Sequence, residues 1–293
     1  MTHHPESSAS DHAPQRPVVS LRGAALRFGA RALWEGLDLD VAPGEFVAIL
    51  GPNGSGKTSL LTVLLGLQSL SAGAVTTFGG AVRTGDSRIG YIPQQKTLDR
   101  GLTLRGRDLV GLGLSGHHWG LTLSPRKRRE RDERIREALD AVGATSYADA
   151  PVGRLSGGEQ QRLRVAQALV SDPGVLLCDE PLLSLDLASQ RKVAELIDAR
   201  RHLADTAVLF VTHEINPILS MVDTVLYIVD GRFRIGPPSE VMTAEVLSEL
   251  YRTDVEVIRV RNRIVVVGTG DSIDVLGRAG QEHHPQAQYP EPS

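Results

Sequence analysis

The chain has 293 residues, 41% of them hydrophobic and 23% charged, with a formal net charge of -3. That is an ordinary balance for a folded, water-exposed domain, and it supplies no electrostatic reason to expect nucleic acid as a partner. The single cysteine, Cys178, excludes an intramolecular disulfide, and no run of about 18 apolar residues offers a bilayer span, so the expected location is cytoplasmic, with any membrane role exercised through a partner.

Taken in chain order, residues 1–17 are rich in Ser, His and Pro and lack hydrophobic periodicity, which predicts a disordered tail with no secretory leader. Val18 to Phe28 alternates like an early strand. Gly44 to Leu50, GEFVAIL, is an apolar run bounded by Pro-Gly and Gly-Pro and reads as a buried strand. A helix is expected from Lys57 to about Leu65, and RIGYIPQ reads as a short strand. The stretch from about Thr103 to Gly143 is helical in character. Within it, Ser124 and Pro125 open a charged helix, SPRKRRERDERIREAL, read as a solvated amphipathic helix with Arg/Glu pairs rather than a surface for RNA or acidic lipid.

GVLLCDE, TAVLFVTHE and DTVLYIVDGR then read as buried strands, with a helix expected in each of the two gaps between them. Strands alternating with helices predict an α/β fold around a mostly parallel sheet covered on both faces. Ser239 to Tyr251 is helical, and EVIRVRNRIVVVG predicts a hairpin turning at Arg261-Asn262. The sequence from Asp271 on reads as a second tail. The histidines of the two tails, His3, His4, His12, His283 and His284, sit at no ligand spacing and read as solvated.

Gly51-Pro52-Asn53-Gly54-Ser55-Gly56-Lys57-Thr58 matches the phosphate-binding loop G-x-x-x-x-G-K-[ST], with the required strand before it and helix after it. Glycines at 51, 54 and 56 let the backbone turn so that N–H groups face a phosphate, and the helix N-terminus adds partial positive charge. Lys57 is suited to the β- and γ-phosphates, and the Thr58 hydroxyl, followed by Ser59, to Mg²⁺. Asp179, at the end of a buried strand, suits the Mg²⁺ shell. Glu180 suits a base that polarises water, although two acids after an apolar strand are by themselves compatible with a helix N-terminal charge effect.

LSGGEQQR, Leu155 to Arg162, shortly before the Asp179-Glu180 strand, resembles the signature of the ATP-binding cassette (ABC) ATPases. Ser156 supplies a hydroxyl there, and Gly157 and Gly158 expose N–H groups at a helix start. The likeness covers Val18 to Gly270. It implies a P-loop NTPase of the ABC type: an antiparallel β subdomain, a mostly parallel core sheet, a helical subdomain at about 95–154 and a C-terminal helix and hairpin extension at about 238–270, followed by the tail at 271–293.

The resemblance further implies that ATP and Mg²⁺ are bound by Gly51 to Ser59. The Ser156, Gly157, Gly158 and Glu159 loop of a second copy would close on them, giving a homodimer with nucleotide between its halves. Gln94 matches the glutamine that touches Mg²⁺ and the attacking water, with Gln95 the competing register. Asp186 matches the aspartate that couples the two sites, and His213 the switch histidine. Phe28 stands where the family stacks an aromatic on adenine, with a core phenylalanine as the rival. Glu159 replaces the commoner Gln, and PLLSLD the commoner Pro-Thr form. The single cassette and short inter-motif segment favour a transporter subunit over the nucleic-acid branches. It would sit at the inner face of the membrane with permease subunits and an extracytoplasmic binding protein. His-Glu-Ile-Asn-Pro, Leu-Ser-Glu-Leu-Tyr and the last hairpin resemble zinc and manganese uptake ATPases; siderophore import and lipid or lipoprotein export are the alternatives.

Overall fold

A computed structural model describes residues 16–94, 103–115, 124–183, 185–261 and 263–268. The chain runs β1 (Val19–Phe28), β2 (Arg31–Val41), β3 (Phe46–Leu50), α1 (Lys57–Leu64), β4 (Ala72–Thr77), β5 (Gly80–Ala81) and β6 (Ile89–Ile92). It continues through α2 (Gly106–Ser115), α3 (Pro125–Ala141), α4 (Gly157–Leu169), β7 (Val175–Asp179), α5 (Leu187–Ala204) and β8 (Ala207–Val211). Last come β9 (Thr224–Val229), β10 (Arg232–Gly236), α6 (Pro238–Val241), α7 (Ala244–Tyr251), β11 (Val255–Val260) and β12 (Arg263–Gly268).

The described residues form three sheets. The central one has the order β10-β9-β3-β8-β7-β6 and is parallel throughout except for β10, which pairs antiparallel with β9. A four-stranded antiparallel sheet, β2-β1-β4-β5, forms the β subdomain, and β11-β12 stands as a hairpin. The mixed α/β expectation, with both an antiparallel subdomain and a parallel core, is met.

The continuous apolar runs of the central strands have a direct structural cause. Successive side chains of a strand point to opposite faces. Phe46, Ala48 and Leu50 of β3 join the core on the helical side, while Val47 and Ile49 join the core beneath the antiparallel sheet and α1. The same split divides β7 and β8, where Phe210 stacks on Phe46 with ring centroids 5.6 Å apart. A strand buried on both faces cannot alternate with polar residues, and each fully buried Leu, Ile or Phe contributes about 1.5–3 kcal/mol. A charge at Phe210 would break the packing of the helical-side layer, which Phe46 shares.

The charged helix α3 behaves as its composition requires. Ser124 precedes Pro125 at its start, and only Ile135 and Leu139 are buried. Its outer face carries Arg126–Glu130 and Arg136–Glu133 pairs, each at 3.0 Å. The segment expected to be one helix from Ser239 to Tyr251 is two: Met242 and Thr243 leave helical geometry, and the Thr243 hydroxyl caps α7 at Val246 N. The hairpin turns where expected, with Val260 opposite Arg263 and Arg261 at φ 55°.

One expectation fails. No helix lies between β8 and β9; residues 216–221 form turns, with Ile218 N bonded to Ile215 O and Met221 N to Ile218 O. Pro217 has no N–H to donate and disfavours helical geometry at Asn216, so the segment cannot propagate a helix. The antiparallel strands β2, β4 and β5 gave no separate signal in the sequence. The tails outside residues 16–268, with their histidines, and Gln95 lie outside the described residues.

Candidate nucleotide site

The phosphate loop occupies the turn from β3 into α1. Gly51 sits at φ 139°, and a Cβ there would meet Ile228 O at 2.0 Å, so neither backbone nor space admits a side chain. Gly56 precedes α1 at φ 97° and lies against Leu33 and Trp34 of β2. Arg31 Nη2 donates to Gly54 O at 3.1 Å and Trp34 Nε1 to Gly56 O at 3.5 Å, so β2 braces the loop from behind. None of these three residues was singled out from sequence, because nothing local marks a strand residue as a brace for a loop over 20 positions away.

Lys57 is buried and folds back over the loop, donating from Nζ to Gly51 O at 2.7 Å and Pro52 O at 2.9 Å. Burial lowers its pKa, opposed by the charges of Glu180 and Asp179. The Ser55 hydroxyl is buried with no hydrogen-bond partner among the described residues. An orphan hydroxyl costs free energy unless something accepts from it or donates to it. Together with a desolvated ammonium, it describes a loop shaped for an anion. Asn53, Gly54, Lys57, Thr58 and Ser59 line a cleft of about 150 Å³ with Leu33 and Gly56.

Thr58, one residue beyond Lys57, donates from Oγ1 to Asp179 Oδ1 at 2.9 Å and so joins the phosphate loop to the end of β7. Burial raises the Asp179 pKa, countered by the hydrogen bonds from Thr58 and Tyr91 and by the charge of Lys57. Tyr91 of β6 reaches Asp179 Oδ2 at 3.5 Å, and its own phenol is pushed up to about 12, chiefly by burial. Thr58 and Asp179 are hard oxygen donors side by side, the type Mg²⁺ takes, so the residues present fit that ion.

Glu180 is held at φ 48°, a left-handed conformation rare for a residue with a side chain. Its own N–H is bonded to Val211 O, which fixes the strained backbone to β8. That orientation puts the carboxylate between two partners: Gln94 Nε2 donates to Oε2 at 2.8 Å, and His213 Nδ1 lies 3.2 Å from Oε1. Backbone strain of this kind is kept where the surroundings over-determine it, typically at working sites.

Asp186 lies at the start of α5, where Oδ1 accepts from Ala188 N and Ser189 N and Oδ2 from the Ser189 hydroxyl. Ser156 caps α4 in a reciprocal pattern: Glu159 N donates to its hydroxyl, and Glu159 Oε2 accepts from both Ser156 N and Oγ. Ser156 and Gly157 are exposed, and a Cβ on Gly158 would meet Ser189 Oγ at 3.1 Å. The loop at 156–159 thus sits beside Asp186 while the phosphate loop gathers Asp179 and Glu180. Phe28 is 54% exposed at the tip of the β1–β2 hairpin, so the core reading of that residue is overturned.

The ABC transporter family profile matches residues 34–183. The chain belongs to the ABC transporter family. It is 36% identical over 253 residues to a phosphonates import ATP-binding protein of Caulobacter vibrioides, covering 82% of this chain and 95% of that one. It is 40% identical to an Fe(3+) ions import ATP-binding protein of Streptomyces avermitilis, covering 76% of this chain and 64% of the relative. A zinc import ATP-binding protein of Halorhodospira halophila is 33% identical, over 83% and 86% of the two chains. Among solved structures, an inward-facing transporter described as of the metal-chelate type superposes with TM-score 0.73 at 25% identity, covering 88% of this chain and 99% of that one. A dimeric ATP-binding cassette in a post-hydrolysis state, bound to ADP and Pi, superposes with TM-score 0.63 at 29% identity, over 75% and 98%. As an ABC ATPase the chain hydrolyses ATP, and among its described residues no helix is long and apolar enough to cross a membrane.

Proposed function

We propose that this ABC ATPase is the energising subunit of an importer for a divalent metal, zinc or manganese, acting as a homodimer on separate permease subunits supplied by an extracytoplasmic binding protein. The observation that carries the hydrolytic reading is the Glu180 carboxylate, strained into place beside Asp179 and held by Gln94 and His213 together.

In this reading the backbone and side chains of residues 51–59 bind the phosphates, with Lys57 turning from Gly51 O and Pro52 O toward the γ-phosphate. Thr58, Asp179 and Gln94 would hold Mg²⁺, which would neutralise phosphate charge. Glu180 accepts the proton of the attacking water. His213 fixes the carboxylate and contacts the γ-phosphate, and Phe28 stacks on the base.

The far side of the nucleotide belongs to the partner copy's Ser156–Glu159 loop. Three features support this. The cleft on the phosphate loop is about 150 Å³, below the roughly 300–1,000 Å³ of enclosed small-molecule sites. Leu183 and Leu187, either side of Asp186, are 38% and 75% exposed, apolar surface awaiting cover. A similar cassette is dimeric with bound ADP and Pi. Closure would pull α2 and α3 against the permease through Gln94, the residue that leaves β6 toward the helical subdomain.

Metal cargo rests on the His213-Glu214-Ile215-Asn216-Pro217 segment and the C-terminal hairpin, on the zinc-import relative and on the metal-chelate type structure. Relatives named for phosphonates, Fe(3+) and spermidine/putrescine make cargo the point to test. Reconstituted with its permease and binding protein in proteoliposomes, the ATPase should be stimulated by Zn²⁺ or Mn²⁺. Stimulation by a phosphonate, Fe³⁺ or a polyamine instead would overturn the cargo assignment.

A further inference from the structure

Asn216 is tied by both ends of its side-chain amide to one residue of the C-terminal hairpin. Nδ2 donates to Ile264 O at 2.9 Å, and Ile264 N donates to Oδ1 at 2.8 Å. Ile264 belongs to β12, which among the described residues pairs with β11 alone. The amide therefore stands on the outer edge of the hairpin, where a third strand would pair, and satisfies both backbone groups of that residue.

The hairpin is packed into the core. Ile264 and Val266 of β12 and Val255 of β11 are each under 5% exposed and share one core with Ile215 and Ile218 of the loop after β8. Ser248 of α7 accepts from Val255 N at 2.9 Å, and the Tyr227 and Tyr251 hydroxyls meet at 3.0 Å, joining α7 to β9. The loop from Thr212 to Asn216 is consequently anchored at both ends: Thr212 N donates to Ile49 O of β3, and Asn216 grips β12. Pro217 restricts the backbone at Asn216 from the other side. His213, which meets Glu180 at 3.2 Å, lies between these anchors on a span of five residues.

We infer that Asn216 is a positioning residue for hydrolysis, clamping the His213 loop to the C-terminal hairpin so that the imidazole stays against Glu180. The hairpin is then a working part of the nucleotide site through its hold on the His213 loop. This rests on the proposed roles of Glu180 and His213. The Asn216 amide spends its hydrogen bonds on Ile264, away from the phosphate loop's own hydrogen bonds, so its loss should act on turnover and leave nucleotide affinity alone.

The test is a double-mutant cycle on the full-length protein, with thermal unfolding followed in parallel. Asn216→Ala should lower kcat about ten- to a hundredfold, the size expected when a catalytic group is misplaced from a distance, with KM for ATP within about twofold. In a His213→Ala background the same change should cost nothing further. Asn216→Asp keeps the acceptor for Ile264 N and loses the donor to Ile264 O; it should lie between wild type and Asn216→Ala, and it carries the cycle if Asn216→Ala unfolds. Full turnover of both Asn216 variants while His213→Ala is slow overturns the clamp, as does a loss that multiplies with that of His213→Ala. Full turnover of His213→Ala itself overturns the reading of the site beneath it.

Discussion

Gln94 Nε2 donates to Glu180 Oε2 across 2.8 Å, so the residue that leaves β6 holds the carboxylate that follows β7. His213 Nδ1 lies 3.2 Å from the other oxygen of the same carboxylate, so the proposed base is gripped from two strand ends at once.

Replacing that carboxylate separates binding from chemistry. Glu180→Gln keeps a partner for Gln94 and His213 but removes the proposed base, so kcat should fall on the order of 10²–10⁴-fold while ATP-dependent dimerisation survives. Turnover in single-cycle assays and dimer formation by size-exclusion chromatography with ATP read the two effects independently. Unchanged turnover would remove Glu180 from the base role.

Lys57 presents a different balance. Burial already disfavours its charge, and its ammonium donates to the backbone carbonyls of Gly51 and Pro52. Phosphate is the better partner, so Lys57→Ala should weaken ATP binding by about 1.5–3 kcal/mol, the worth of a hydrogen bond to a charged group. Calorimetric titration of ATP into the variant checks this; equal affinity would discredit the phosphate-loop reading.

The Ser156–Glu159 pair ties helix stability to acid. The Ser156 hydroxyl and N–H hold the Glu159 carboxyl below its ordinary value of 4.5. A depressed acid stabilises the fold above its unfolded-state pKa, and that contribution is lost as pH falls through the lower folded value. Thermal unfolding should therefore show wild type losing, below about pH 4.5, an increment that Glu159→Gln does not lose, since Gln also closes this cap. Ser156→Ala should cost about 1 kcal/mol of stability at neutral pH through the lost cap. It should also slow hydrolysis in the dimer, a loss that Glu159→Gln is not expected to share.

Phe28 offers the cleanest split between stability and binding, because a ring 54% exposed contributes little to the core. Phe28→Ala should leave the melting temperature nearly unchanged and weaken ATP binding by about 1–3 kcal/mol, the range for one base on one aromatic ring. Phe28→Trp should restore it. A large loss of stability with intact affinity would return the residue to a structural role.

What could be read from the chain alone was whatever is local in sequence. The phosphate loop is eight consecutive residues with a strand before and a helix after. Ser156, Gly157 and Gly158 mark the start of a helix in three consecutive positions. β3, β7 and β8 betray their double burial by unbroken apolar runs. These features depend on neighbours within a turn or two of chain, so residue order suffices to specify them. The helix expected between β8 and β9 failed for want of one local reading, that Pro217 bars it. Arg31 under Gly54, Tyr91 beside Asp179, the strained Glu180 between Gln94 and His213, and Asn216 on Ile264 had no such signal. Each is a meeting of residues brought together only by packing two layers over one sheet. Hydrogen-bond partners at such separations are chosen by the fold's geometry, and only the tertiary structure decides them.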